Sequence, residues 1–339
     1  MGLVYMTLPL SSELPSSACL LPAESSVGLW PVLLTPYTQS NQVDHDAIAS
    51  MVEFYLQRGV TGIFANCLSG EVFDLWPQER AAICRTLVRC TQGRLPVAAG
   101  GNFGSTLAEQ ARELQRTAEA GIDISVILLS VLPQAGDLIG QIEYLHDHTE
   151  CLLGVYECPL PEHRLLSPQD LPRLTQLKRM VFMKETSRSA SIFAEKLNYA
   201  RNTQLRLYQA NLRCLPAACA VGAHRTCGII ANICPELTLA YCRSGGRDSD
   251  APYPIFNALI VAHDVMTSQC YPASAKYLLQ KRGLSINDFT RFNGLGGLSE
   301  ANRQVLDRLI DEFDWEQPVI SDQHLRRLQT ELGTPPIFD

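Results

Sequence analysis

The feature that most constrains this chain is a rhythm. From Leu29 onward, short runs rich in aliphatic and β-branched residues alternate with longer stretches of helical spacing. A chain built from repeated strand–helix units folds as a parallel sheet covered by its own crossover helices. The strand runs fall at 30–35, 62–66, 96–100, 124–130, 151–157, 181–185, 205–210 and 226–231. Eight strands make a closed barrel the simplest count. Between them, 45–58, 78–91, 106–120 and 190–201 carry helical spacing, with Asp44 and the Thr106/Glu109 pair placed as N-cap signals. A doubly wound open sheet is the rival, but no G-x-G-x-x-G turn follows the first strand and no P-loop occurs. The pattern therefore predicts an α/β fold, a (β/α)8 TIM barrel, over 27–246. Beyond the polar break from Arg243 to Asp250, helical segments near 254–281 and 299–312 predict a C-terminal helical appendage over 247–339. Residues 1–26, with several Ser and Pro, read as an N-terminal extension.

Composition narrows the function. The chain has 339 residues, 46% of them hydrophobic and 19% charged, enough apolar side chain to offset chain entropy over most of its length. Its formal net charge is −7 and its basic residues form no run longer than a pair, which argues against a phosphate-backbone partner. A small anionic substrate would have to be held by local donors rather than by the overall field. The twelve cysteines show no CxxC pair or Cys/His ladder, so free thiols in a reducing compartment are expected, with no metal site. No Lys or Arg precedes Arg58, so a basic signal-peptide segment is missing, and the apolar stretch from Ile124 to Leu132 is too short for a bilayer. The expectation is a soluble, cytoplasmic protein without nucleic-acid or membrane partners.

In a (β/α)8 barrel the active site gathers at the C-terminal ends of the strands. Lys184 closes the apolar run from Val181. An amine desolvated in a barrel mouth is pushed toward its neutral, nucleophilic form, although the same pattern suits a lysine snorkelling to solvent. Tyr156 ends the neighbouring run from Leu152, where a phenol can shuttle protons or simply pack. Ser69-Gly70-Glu71 follows the second strand and can aim a hydroxyl and backbone amides at a carboxylate, or form a plain turn.

Taken in order, these residues resemble the dihydrodipicolinate synthase and N-acetylneuraminate lyase family of class I Schiff-base enzymes, from about 28 to 282. The matching motifs are Leu34-Thr35-Pro36-Tyr37 with Asp44, Ser69-Gly70-Glu71 with Leu75 and Glu79-Arg80, and Pro96-Val97 through Gly100. Gly121-Ile122-Asp123, Tyr156 with Pro159, Leu166-Ser167-Pro168, Lys184-Glu185, and Ala231-Asn232 with Pro235 complete the series. The resemblance implies that Lys184 forms the imine, that Tyr156 transfers protons, and that Ser69 with amides near Gly70 clamps the 2-oxo carboxylate. Leu68, Gln209 and Cys227 complete the implied substrate-binding set. It also implies a homodimer or homotetramer, and no cofactor.

The departures are specific. The family usually has two hydroxyl residues before Gly-Glu, and the first here is Leu68. The tyrosine that an adjoining subunit lends in the synthases falls at Ser130-Val131-Leu132, and the arginine that grips the second substrate aligns with Pro161, with Arg164 out of register. The stretch after the seventh strand reads Gln209-Ala210-Asn211, not Gly-Asp-Asp. The expected function is a Schiff-base lyase, aldolase or dehydratase, on pyruvate or a sugar-derived 2-keto-3-deoxy acid. True dihydrodipicolinate synthase and a non-catalytic keto-acid-binding homologue are the alternatives. Glu157, His163, Arg164, Gln209 and Asn211 are candidates for distal specificity.

Overall fold

In a computed structural model, describing residues 21, 27–246, 255–294, 296–312 and 315, eight parallel strands follow one another around a curled sheet. They are β1 (Gly28–Leu29), β2 (Ile63–Ala65), β3 (Val97–Gly100), β4 (Ile124–Leu128), β5 (Leu153–Tyr156), β6 (Met180–Glu185), β7 (Arg206–Gln209) and β8 (Arg225–Thr226). Their order is β1-β8-β7-β6-β5-β4-β3-β2. A parallel bridge between Val32 and Phe64 brings the two ends of the order together. The expected (β/α)8 barrel is the fold observed; most of the expected N-terminal extension lies outside the described residues.

The first strand departs from its expected bounds because Pro31 has no N–H to give the ladder. The chain pairs to β8 at Gly28–Leu29, and after Pro31 it turns to β2. There Phe64 N donates to Pro31 O (3.0 Å) and Leu33 N to Phe64 O (2.8 Å). The eighth strand is shorter than expected, since the chain turns at Gly228 into a short helix, Ile230–Ile233.

The crossover helices include α1 (His45–Gln57), α2 (Pro77–Thr91), α3 (Leu107–Glu119), α4 (Leu138–Asp147), α5 (Leu171–Gln176) and α6 (Ala190–Ala200). Their starts follow from capping: Asp44 Oδ1 accepts from Ala47 N (2.9 Å), and Thr106 with Glu109 forms a reciprocal capping box. Helices α7 (Leu215–Ala220), α8 (Ile230–Ile233) and α9 (Pro235–Arg243) complete the barrel's part. The stretch near 254–281 expected to be helical comprises two helices, α10 (Ile255–Ser268) and α11 (Ala273–Lys281). Pro272 disfavours helical backbone at the residue before it, and Cys270 adopts φ +58°. The last described helix is α12 (Glu300–Glu312). Among the described residues, no helix is long and apolar enough to cross a membrane.

Strand alternation divides the side chains into an inner and an outer set. Trp30, Phe64, Phe182 and Tyr208 fill the barrel, with Trp30 to Phe182 and Trp30 to Tyr208 ring centroids both 5.2 Å apart and Phe182 to Tyr208 4.9 Å. Gly154 makes room for this packing, since a Cβ there would lie 2.9 Å from Phe182 Cδ1. Burying each such ring contributes about 1.5–3 kcal/mol. On the outside, Ile127, Leu153, Val155, Met183 and Leu207 pack with helix residues such as Ile142 and Phe193.

Candidate active site

Tyr156 and Lys184 stand opposite each other where β5 pairs β6, after a register shift between Leu153 and Gly154. Both therefore share the inner face at the C-terminal end of the barrel, because one residue of slip would have sent either to the outside. Lys184 is 4% exposed and Tyr156 3%. The Lys184 amine lies 4.5 Å from the Tyr156 ring centroid and 5.5 Å from that of Phe64. Among the described residues, no carboxylate makes an ion pair with it. An amine held by ring faces rather than by an acid stays open to a carbonyl carbon.

Burial pushes the Tyr156 phenol well above its usual range, and the nearby thiols of Cys158, Cys67 and Cys227 add to the effect. Its resting form is therefore the protonated one, a donor. Cys67 is also raised by burial, against the opposing influence of Lys184. Cys227 is pushed up to about 12 for the same reason. These thiols stay neutral beside the amine, and the described cysteines are all free.

Ser69 reaches the same space on a 3-10 turn, Leu68–Gly70, that follows β2. Two contacts fix this turn. Thr35 Oγ1 donates to Gly70 O (2.6 Å), and Gly70 approaches Leu33 O so closely that a Cβ would sit 2.8 Å from it. The residue after the turn, Glu71, is its anchor. It accepts from Lys276 Nζ (2.5 Å), Thr290 Oγ1 (2.6 Å), Arg291 N (2.6 Å) and Phe292 N (3.0 Å). The C-terminal segment is thereby bolted to the loop that carries Ser69.

The cavity between these groups is small, about 30 Å³, and Leu68, Ser69, Tyr156, Pro159, Lys184 and Thr186 line one part of it. Ala210, Gly228, Ile229 and Tyr271 line the rest. Of the residues singled out by sequence, Lys184, Tyr156, Ser69 and Leu68 are brought together here. The amide of Gly70 is not free for a carboxylate, because the turn itself uses it in a 3.0 Å bond to Cys67 O. Gln209 is turned to the outer face by alternation, where Nε2 donates to Glu185 Oε2 (3.4 Å) and Oε1 accepts from Asn211 N (2.8 Å). Cys227 is fully buried within electrostatic reach of Lys184 but does not line the cavity. Arg164 points away, donating to the carbonyls of Leu132 (2.9 Å) and Pro133 (3.1 Å).

Three features escaped the sequence reading. Tyr271 enters from the break between α10 and α11, and continuous helical spacing had hidden it. Thr186 donates to Glu157 O (2.6 Å), and its oxygen meets His163 Nε2 at 2.8 Å. Since the hydroxyl has a single proton, His163 is the donor in that contact. Third, Lys196 of α6 reaches Glu157 Oε1 (2.6 Å) and Glu185 Oε1 (3.1 Å), all three side chains fully buried. The two carboxylates follow Tyr156 and Lys184 directly, so this ion cluster holds the backs of the two site strands together.

Comparison with known proteins extends the reading over the chain. A family model described as the dihydrodipicolinate synthetase family matches residues 25–313. The chain is 23% identical over 288 residues to the 4-hydroxy-tetrahydrodipicolinate synthase of Brachyspira hyodysenteriae, covering 83% of this chain and 95% of that one. It is 24% identical over 286 residues to the synthase of Ruegeria pomeroyi, covering 83% and 96%. Among solved structures, a prophage protein of the dihydrodipicolinic acid synthase family from E. coli K12, in complex with pyruvate, superposes with a TM-score of 0.75. Its identity is 19%, over 84% of this chain and 97% of that one. The dihydrodipicolinate synthase of Thermotoga maritima gives a TM-score of 0.74 at 18% identity, over 84% and 98%. The barrel, the ordered motifs and a family match spanning the barrel and the described C-terminal helices agree, and the chain belongs to the dihydrodipicolinate synthetase family, a family of class I aldolase-type lyases.

Proposed function

We propose that this protein is a Schiff-base lyase for a short 2-oxo acid, pyruvate or a hydroxylated relative of it, with Lys184 forming the imine and Tyr156 transferring the protons. The observation that carries the reading is the Lys184 amine, almost fully buried, facing a protonated phenol and free of any carboxylate partner among the described residues. The neutral amine adds to the C2 carbonyl and Tyr156 protonates the departing hydroxyl. The resulting protonated imine draws electrons from the C3–C4 bond of an aldol, or from C3–H ahead of dehydration. Ser69 supplies the hydroxyl facing the substrate, and the limited cavity suits a small acid head. The relative from E. coli K12 was solved with pyruvate, which supports the same substrate class here. In keeping with its family, the protein is taken to work as a homodimer or homotetramer. Borohydride reduction over a panel of 2-oxo acids, read as intact mass, tests the reading by showing which acids become covalently fixed.

The relatives' names favour a second reading, condensation of pyruvate with aspartate semialdehyde. Against it stand Leu68, where the family usually has a hydroxyl, and Arg164, whose guanidinium is committed to the loop after β4. Synthase turnover is expected to be absent or far below that of a working synthase, and Leu68→Thr alone should not restore it. A coupled assay with both substrates decides, and robust wild-type turnover would establish the synthase reading instead.

A further inference from the structure

Tyr271 belongs to none of the barrel strands, yet it is one of the residues that line the cavity with Lys184, Tyr156 and Ser69. It is 3% exposed. The chain brings it there by a local device: α10 ends at Ser268, Cys270 takes the left-handed conformation at φ +58°, and α11 begins only after Pro272. The phenol lines the same small cavity as the Ser69 side chain, within its electrostatic reach. Ser69 is in turn held from the same C-terminal segment, through the Lys276 bond to Glu71. Two phenols thus enter the cavity, Tyr156 from β5 beside the amine and Tyr271 from the α10–α11 turn beside Ser69.

We propose that Tyr271, acting through Ser69, is a second proton-transfer residue of this site, serving C3 of the substrate and the water that then releases the product, while Tyr156 serves the C2 oxygen in imine formation and the C4 oxygen. The proposal rests on the imine reading above. In imine formation the C2–N bond forms and the C2 oxygen leaves as water, one of its hydrogens from the amine and one from Tyr156, leaving a protonated imine beside a Tyr156 phenolate. That phenolate takes the proton of the C4 hydroxyl as the C3–C4 bond breaks. The bonding pair forms the C2=C3 bond of a neutral enamine, and an aldehyde departs. Tyr156 is then a phenol again and a second donor is needed for C3. Ser69 gives its proton to C3 and takes one from Tyr271, leaving an imine cation and a Tyr271 phenolate. Water then adds to C2 as hydroxide and returns its other proton through Ser69 to Tyr271, and the new hydroxyl passes its proton to nitrogen as the C2–N bond breaks, leaving the C2 carbonyl and the free Lys184 amine. Burial fits this order by holding the proton on the phenol until the enamine needs it, and Ser69 and the imine cation then favour the phenolate.

The test uses pyruvate, whose C3 hydrogens exchange with solvent by the same step in reverse, with solvent having taken the Tyr271 proton. Exchange in D2O is followed by proton NMR for the wild type, Tyr271→Phe, Ser69→Ala and the double variant, with borohydride trapping of the imine in parallel. Tyr271→Phe keeps the ring and should trap pyruvate to the wild-type extent, while its C3 exchange falls about 10²- to 10⁴-fold, the usual scale for a general acid–base group. Ser69→Ala should fall comparably, and the double variant little further, because the two act as one path. Unchanged exchange in Tyr271→Phe with trapping intact overturns this proposal alone. A parallel loss of trapping and exchange also overturns it, since Tyr271 would then only shape the cavity. Absence of any trapped pyruvate on the wild type overturns the imine reading and this proposal together.

Discussion

Tyr156→Phe is expected to slow imine formation with pyruvate by about 10²- to 10⁴-fold, the scale of a lost general acid, while leaving the fold in place. The ring sits edge-on to Phe64 with centroids 5.4 Å apart and under the Lys184 amine at 4.5 Å, and phenylalanine preserves both contacts. What is lost is a single proton, held on the phenol by burial. Stability should change by no more than about 1 kcal/mol, the net worth of one hydrogen bond. Rapid-quench borohydride trapping gives the rate, and thermal melting checks the fold. A trapping rate at the wild-type value would reduce Tyr156 to a packing residue.

Lys196→Met is expected to be the most destabilising single substitution near the site. Lys196, Glu157 and Glu185 are fully buried, and the lysine is the shared cation of the two acids. Each carboxylate has further ties. Glu157 accepts from Leu166 N and Thr186 N (both 2.9 Å), and Glu185 accepts from Ser187 N (3.0 Å). These amides do not supply the missing charge, so removing the lysine leaves two acids with an uncompensated burial cost of about 3–5 kcal/mol. A urea titration reads the loss. Adding Glu157→Gln to Lys196→Met should recover part of it, because one buried charge disappears with its partner. A loss under about 1 kcal/mol, typical of exposed ion pairs, would show that water reaches this cluster.

How much of this was legible in the sequence depends on the range of the interaction that decides each element. Strand–helix alternation is a local property, so β2 to β7 and helices α1 to α3 and α6 appear where the spacing of apolar residues places them. Capping is equally local, and Asp44 and Thr106 act as expected. Errors arise where backbone chemistry overrides hydrophobic spacing. Pro31 interrupts the first strand, Gly228 ends the eighth, and the turn before Pro272 divides the stretch of helical spacing near 254–281 into two helices.

The site divides in the same way. Lys184, Tyr156 and Ser69 are marked by their position at strand ends, which spacing reports. Gln209 is one residue past Tyr208, and strand parity alone sends it outward to Glu185. Tyr271 comes from a segment far along the chain and Lys196 from the crossover helix after β6, and tertiary packing brings them to the barrel mouth and its outer wall. Nothing in the spacing around either residue announces that destination. The glutamates at 157 and 185 did carry a signal: an acid immediately after each site residue must face the helix layer, where a buried cation is required.

The central claim is that Lys184 forms the imine, and pyruvate with borohydride, followed by peptide mapping, tests it most directly. The wild type should gain one reduced pyruvate adduct, located on the peptide containing Lys184, and Lys184→Ala should gain none while keeping its thermal transition. An adduct confined to another lysine, or one that persists undiminished in Lys184→Ala, would contradict the account.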